Sequence, residues 1–268
     1  MNRHSILHKN EAETRVRRSH GLRGFTATEL LVVVGIIAIV GSLLLSSLSN
    51  ARDKAHTISC LNHLRQLQFC WLMYAHDEDG SFPSQAWTNV NGQTLSLPGS
   101  WVLGDARLDP TLHHITNGPL YSYNSTPKIY RCPGDSSRVE GTRIPRSRSY
   151  SMSGYFGVSE RKLERITDPA GTFVFLDEDE TSIDDSVFRI APLGDWRWLD
   201  LPAHRHQNAA NLTFADGHAA TIKWKGTNVL ERFGHPQPVD RGSNPDAYDL
   251  IRLQELNPQR SIPSSQAY

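Results

Sequence analysis

Hydrophobic and polar positions divide the chain into three regimes. From Leu30 to Leu45 every residue is apolar or small, with only Gly35, Gly41 and Ser42 interrupting. Extended to Leu48, at about 1.5 Å per helical residue, this run nearly spans a hydrocarbon core of about 30 Å. From Ser49 to Asp77 a polar face appears, and Ala51, Ala55, Ile58, Leu61, Leu64, Leu67, Trp71 and Tyr74 recur at steps of three and four. That spacing predicts one buried helical stripe. Asp77-Glu78-Asp79-Gly80 and Pro83 stop it, as a C-terminal cap and turn would.

Beyond Gly80 the pattern becomes β-like. Residues 81–148, rich in Gly, Pro, Asn, Ser and Trp, predict a long looped insertion with short strands. Strands are expected over Ser149–Val158 and Gly171–Leu176. A hairpin is expected from Asn211–Ala215 through Asp216-Gly217 to His218–Trp224, with a two-residue type I′ turn. Its inward residues are Leu212, Phe214, Ile222 and Trp224. Residues 245–256 read as a short helix and 257–268 as a loose tail.

Composition changes this picture in two places. Twenty-eight Lys+Arg balance 28 Asp+Glu, so no chain-wide basic field points to nucleic acid, and no nucleic-acid partner is expected. The balance is uneven, however: residues 1–24 carry six basic side chains against two acidic ones. A basic flank before the apolar run places the N-terminus in the cytoplasm and the bulk outside. With 38% hydrophobic residues overall, a polytopic membrane protein is excluded. The run is too long for a secretory signal and no A-x-A follows it. A plain signal-anchor helix is harder to reconcile with Glu29, a carboxylate at the edge of the apolar run that needs a partner.

Arg23-Gly24, then Phe25-Thr26-Ala27-Thr28-Glu29-Leu30-Leu31 and the apolar run, resemble the class III signal of type IV prepilins and type II secretion pseudopilins. Ser59–Leu67, Tyr74–Asp77, Gly118–Tyr121 and Tyr130–Asp135 are similar to a subfamily of large G-type pseudopilin-like proteins, as is the late H-x9-D-G pattern at His206, Asp216 and Gly217. The resemblance covers residues 23 to about 224. It implies cleavage between Gly24 and Phe25 by a prepilin peptidase, and methylation of Phe25. It further implies pairing of Glu29 with the Phe25 ammonium of a neighbouring subunit, so that two charges, each costly alone in lipid, offset one another.

The implied fold is α+β and pilin-like: a long N-terminal helix, half transmembrane and half amphipathic, packed on an antiparallel β-sheet head with long loop insertions. The parts are a leader (1–24), a transmembrane and assembly helix (25–48), its amphipathic continuation (49–79), a periplasmic head (80–256) and a tail (257–268). Residue 46 is serine where many pilins carry proline, so no kink is expected there. Small residues at 35, 38, 41 and 42 allow close helix packing. Implied partners are the prepilin peptidase, other pilin or pseudopilin subunits, an inner-membrane assembly platform and membrane lipid. The implied role is structural, not enzymatic. The alternatives are a single-pass periplasmic binding protein that never polymerises and, third, a metal-dependent enzyme.

The enzyme alternative rests on His204, His206, Asp216 and His218. H-x-H on an extended segment puts two rings on one face, and a hairpin could bring His218 near them. No H-E-x-x-H, nucleophile elbow or P-loop accompanies them. Asp216-Gly217 is equally explained by turn chemistry, and His206 by backbone bonding. The acidic run Asp177-Glu178-Asp179-Glu180, with Asp184-Asp185, offers hard oxygen ligands for a structural calcium ion. G-type pseudopilins hold calcium in a late loop, but the ligands do not align residue for residue. A solvated loop is the other reading, and no cofactor is otherwise expected. Cys60 and Cys70, on one helix, lie about 15 Å apart, too far to bond. Cys132 can reach one of them; a Cys60–Cys132 disulfide is the favoured pairing, against three free buried thiols.

Overall fold

The computed structural model describes residues 26–158, 162–226 and 245–257. The leader, the Gly24/Phe25 junction and residues 258–268 of the expected tail lie outside the described residues. The chain divides into two units, Met1–Leu48 and Ser49–Tyr268. One helix, α1 (Ala27–Asp77), contributes to both.

Within the first unit α1 starts on a capping box. The Thr26 backbone N–H and hydroxyl donate to Glu29 Oε2 at 2.9 and 2.8 Å, and the Glu29 N–H donates back to Thr26 Oγ1 at 3.3 Å. Threonine at the cap and glutamate three residues on satisfy two otherwise unpaired donors reciprocally. The apolar side chains that follow, Leu30 to Leu48, face outward, Leu31 at 75% and Leu45 at 72% exposure. This stretch is long and apolar enough to cross a membrane by length and composition.

In the second unit the buried stripe of α1 is Cys60, Leu64, Leu67, Trp71 and Ala75. That corrects its expected phase: Ala51, Ala55 and Ile58 are exposed. At 100° per residue Ile58 lies about 160° round the helix from Cys60, on the far side. The stripe therefore begins at Cys60. The helix ends where expected, with Asp79 and Gly80 at φ 51° and 79° and the Gly80 N–H donating to Ala75 O, a left-handed termination.

Among the described residues the looped stretch after α1 carries a hairpin, β1 (Trp87–Val90) and β2 (Gln93–Ser96), a helical turn, α2 (His113–Thr116), and two short 3-10 turns, Pro119–Tyr123 and Pro127–Tyr130. Strand β3 (Tyr150–Ser153) follows, then another single turn, α3 (Tyr155–Val158). The expected strand over 149–158 thus stops at Ser153, whose hydroxyl accepts the Tyr155 N–H. The turn puts Phe156 edge-on against Trp71 and Phe82. Next come β4 (Phe173–Asp177), β5 (Val187–Phe188), β6 (Ala209–Phe214), β7 (Ala219–Lys223) and helix α4 (Pro245–Glu255).

Five of these strands form one sheet in the order β5-β3-β4-β6-β7. It is mixed, not purely antiparallel as expected, because β5 runs parallel to β3. One face packs on α1 through Trp71, Tyr150, Met152, Val174 and Phe175. The other carries Phe173, Leu176, Leu212, Phe214, Ile222 and Trp224, with Leu253 of α4, so all four expected hairpin residues are in a core. Phe173 and Leu176 share one face while Val174 and Phe175 share the other, which a register shift in the β4–β6 pairing allows. Two polar residues of β6 face α1. Asn211 Nδ2 donates to Thr57 O at 3.1 Å and Thr213 Oγ1 to Gln68 Oε1 at 2.8 Å.

His114, on α2, is buried with its Nε2 at 2.6 Å from Ser147 Oγ. Burial first, then the charges of Arg148 and His113, lower its pKa to about 4. The unfolded chain takes up this proton near pH 6.5 and the fold does not, so the contribution of His114 to stability falls as pH drops from 6.5 towards 4, against the buried carboxyls of Asp185 and Asp200, whose raised pKa values act the other way. In denaturant unfolding of detergent-extracted protein, the stability of wild type relative to His114→Gln should fall by about 2 kcal/mol between pH 6.5 and 4.

Candidate functional site

Four segments far apart in sequence meet where α1 crosses the sheet. Helix α1 supplies Cys60, on its buried stripe, and Thr57 one turn earlier. Cys132 comes from the loop after the single helical turn Pro127–Tyr130, and Asp177 ends β4. His206 comes from the turn entering β6, where Gln207 and Asn208 adopt φ of 57° and 60°. Asn208 Nδ2 holds this tight bend by donating to Trp224 O and Gly226 O at 3.1 and 2.9 Å.

One ligand-type atom from each of Cys60, Cys132, Asp177 and His206 lies within 4.8 Å of all the others, and all four residues are buried. His206 Nε2 is 3.0 Å from Asp177 Oδ2 and 3.3 Å from Cys132 Sγ. Cys60 Sγ is 3.7 Å from Asp177 Oδ2. On the opposite side of the ring, His206 Nδ1 lies 3.2 Å from Thr57 Oγ1, whose own proton goes to Asp53 O at 2.8 Å. Two donors point at the sulfurs: Tyr150 OH at Cys60 Sγ, 3.3 Å, and the Gly134 N–H at Cys132 Sγ, 3.4 Å.

The surrounding charges are arranged around Asp177. Arg205 Nη1 lies 3.5 Å from Asp177 Oδ1 and 3.3 Å from Asp135 Oδ2. Burial works against the Arg205 charge, but Asp177 and Asp135 outweigh it and raise its pKa. Burial likewise opposes a charged His206 ring; bonds to Asp177 and Cys132 prevail and raise its pKa to about 9. Desolvation pushes the Cys132 thiol and the Tyr150 phenol upward.

This grouping redistributes the residues singled out from sequence. His206 stands with Cys60, Cys132 and Asp177, not with the other histidines. His204 bonds Asp179 Oδ2 at 3.1 Å, its ring turned outward. The segment carrying H-x-H is a turn rather than extended chain, so the two rings do not share a face. His218 bonds Asp216 Oδ1 at 2.6 Å and stacks on Phe214 with centroids 4.1 Å apart. Cys60 and Cys132 are brought together as expected, but as free thiols; Cys70, also free, takes a bond from Asn124.

The acidic run does not converge on one point either. Asp179 accepts from Thr181 as well as His204, and these bonds outweigh burial to lower its pKa. Glu178 is buried against Ser182, and desolvation, then the Asp200 charge, hold its carboxyl well above the usual range. Asp184 and Asp185 flank Arg189, while their carbonyls accept from the buried Arg148 at 2.9 and 2.7 Å. Sequence reasoning missed Arg205, Thr57 and Tyr150. Arg205 carried a signal, a lone cation between two histidines.

The cluster's chemistry differs from that of a base-relay triad. In such a triad the nucleophile and the carboxylate occupy opposite ring nitrogens; here Cys132 and Asp177 both face Nε2. Four donors around one point are instead a set that can hold a metal ion. No family model, no curated protein and no solved structure matches this chain.

Proposed function

We propose that this chain is a prepilin-like structural subunit, cut by a prepilin peptidase between Gly24 and Phe25 and assembled into a type II secretion pseudopilus or type IV pilus-like fibre. The observation that supports the reading is the outward apolar surface from Leu30 to Leu48, headed by Glu29, the sole charged residue between Thr26 and Ala51. Lipid or neighbouring helices of the same kind must cover such a surface in the cell, since water would not tolerate it. Before assembly the helix lies in the inner membrane, its leader in the cytoplasm and its head in the periplasm. Other subunits and an assembly platform are its partners, and the fibre acts mechanically.

The capping box fits this reading. Glu29 Oε2 is occupied by Thr26, and a carboxylate can accept further bonds at Oε1. Removal of the leader creates an ammonium at Phe25, one residue from the cap. A neighbouring subunit's ammonium can then approach a carboxylate already oriented by its own helix.

Mass measurement of the N-terminus, on protein extracted from host membranes, tests the reading. The expected species begins at Phe25 with one added methyl group. A chain beginning at Met1 with the leader intact overturns processing, and with it the fibre.

A further inference from the structure

We infer that Cys60, Cys132, Asp177 and His206 form a closed, structural site for a zinc-class divalent ion that fastens α1 to the sheet. This goes beyond the fibre reading and does not depend on it. Two thiolates, an imidazole and one carboxylate are a borderline-soft donor set, which selects zinc-like ions over calcium or magnesium. Metal–ligand bonds of about 2.0–2.3 Å in a tetrahedron place the ligand atoms about 3.3–3.8 Å apart. Separations of 3.0, 3.3 and 3.7 Å, all others within 4.8 Å, need only small adjustments to reach that.

The groups behind the ligands are oriented for metal binding. Thr57 Oγ1 spends its proton on Asp53 O, so towards His206 Nδ1 it can only accept. The ring must therefore carry a proton on Nδ1, so the proton that Nε2 directs at Asp177 Oδ2 is the one an ion at the centre of the cluster displaces. Tyr150 OH and the Gly134 N–H aim at the two sulfurs. A thiol is a weak acceptor, whereas a metal-bound thiolate accepts such bonds well. Arg205, beside the outer oxygen Asp177 Oδ1, offsets the net negative charge of three anionic ligands around a divalent ion. Binding releases the two thiol protons and the His206 Nε2 proton to solvent, while Nδ1 keeps its own towards Thr57.

Four protein ligands leave no open position, so the ion's role is structural. A cleft of about 310 Å³ lined by Lys54, Thr57, His206 and Lys223, among others, borders the cluster and gives the ion a path. The ion would tie α1, the Cys132 loop, β4 and the turn before β6 at a single point.

Full-length protein extracted in detergent without oxidant tests the site. Zinc content should be about one ion per chain. Chelator-stripped protein should take up cobalt(II) and show thiolate-to-metal charge transfer with tetrahedral ligand-field bands. Cys132→Ser and His206→Ala should each lower bound metal more than about tenfold, and Thr57→Val should weaken affinity about tenfold while keeping the same spectrum. Undiminished metal in Cys132→Ser overturns the site. So does a Cys60–Cys132 disulfide in protein isolated anaerobically, revealed when alkylation without reduction labels one thiol instead of three. Should the ligand variants fail to fold, a wild-type cobalt spectrum lacking thiolate charge transfer overturns it alone.

Discussion

Glu29→Val should abolish fibre formation while leaving the head folded and the chain in the membrane. At the edge of the bilayer the Phe25 ammonium of a processed subunit needs a counter-charge, and without Glu29 it has none, because no other acid stands between Thr26 and Ala51. Fibre yield, read by shearing and immunoblotting, should fall at least about tenfold. Glu29 also accepts two hydrogen bonds from Thr26, so a lost cap must be separated from a lost charge. Glu29→Gln does this, since glutamine serves as well in a capping box. If the charge is required, Gln fails as Val does. Fibres of normal yield from Glu29→Gln would reduce Glu29 to a helix cap and remove its assembly role.

Trp71→Ala should be the most damaging single change in the head. Its ring is fully buried, stacked on Phe82 at 4.5 Å and met edge-on by Phe156 at 5.4 Å. Truncating a buried Trp typically costs about 3–5 kcal/mol, partly as transfer energy and partly as a cavity. In a head of this size that is a fall of about 10 °C in Tm. Phe69, on the same helix but 57% exposed, is the internal control. Phe69→Ala should shift stability by less than about 0.5 kcal/mol in detergent-extracted protein. Equal losses from both would mean that the buried stripe is misassigned.

What could be read in the sequence depended on how local its cause is. Helix α1 follows from an uninterrupted apolar run and a 3.6-residue period, and its end from Asp79-Gly80. The phase of the stripe was harder. Ala51, Ala55 and Ile58 are apolar and correctly spaced among themselves, but they are exposed, and a period alone does not state where a partner begins. Turn chemistry divided in the same way. Asp216-Gly217 matched the two-residue pattern, yet the loop is Ala215-Asp216-Gly217: Phe214 and His218 pair, and of the three only Gly217, at φ 95°, is left-handed. That is a type I turn with a bulge. The type I′ turn lies instead at Asn91-Gly92, with φ of 54° and 83° between Val90 and Gln93. Asn-Gly is the dipeptide such a turn favours, because both central residues need a positive φ.

The candidate metal site shows the opposite limit. Cys60, Cys132, Asp177 and His206 all stood out in the sequence, but under three headings: a disulfide, a calcium loop and a histidine group. Their shared location depends on β4 and β6 pairing side by side beneath α1, a long-range arrangement that spacing does not encode. His204 and His206 illustrate the point. Two residues apart, they were expected to act together, and a tight turn sends one outward to Asp179 and the other into the cluster.

The grip of Asn211 on the Thr57 carbonyl and of Thr213 on Gln68 has a mechanical consequence. The Thr213–Gln68 bond is buried and the Asn211–Thr57 bond partly so, so sliding the helix by one turn, about 5.4 Å, would break both and strand the buried pair at about 1–3 kcal/mol. A tug along the helix axis is therefore resisted in shear by both contacts together, not peeled apart one after the other. The sheet is towed by the helix, in step with it.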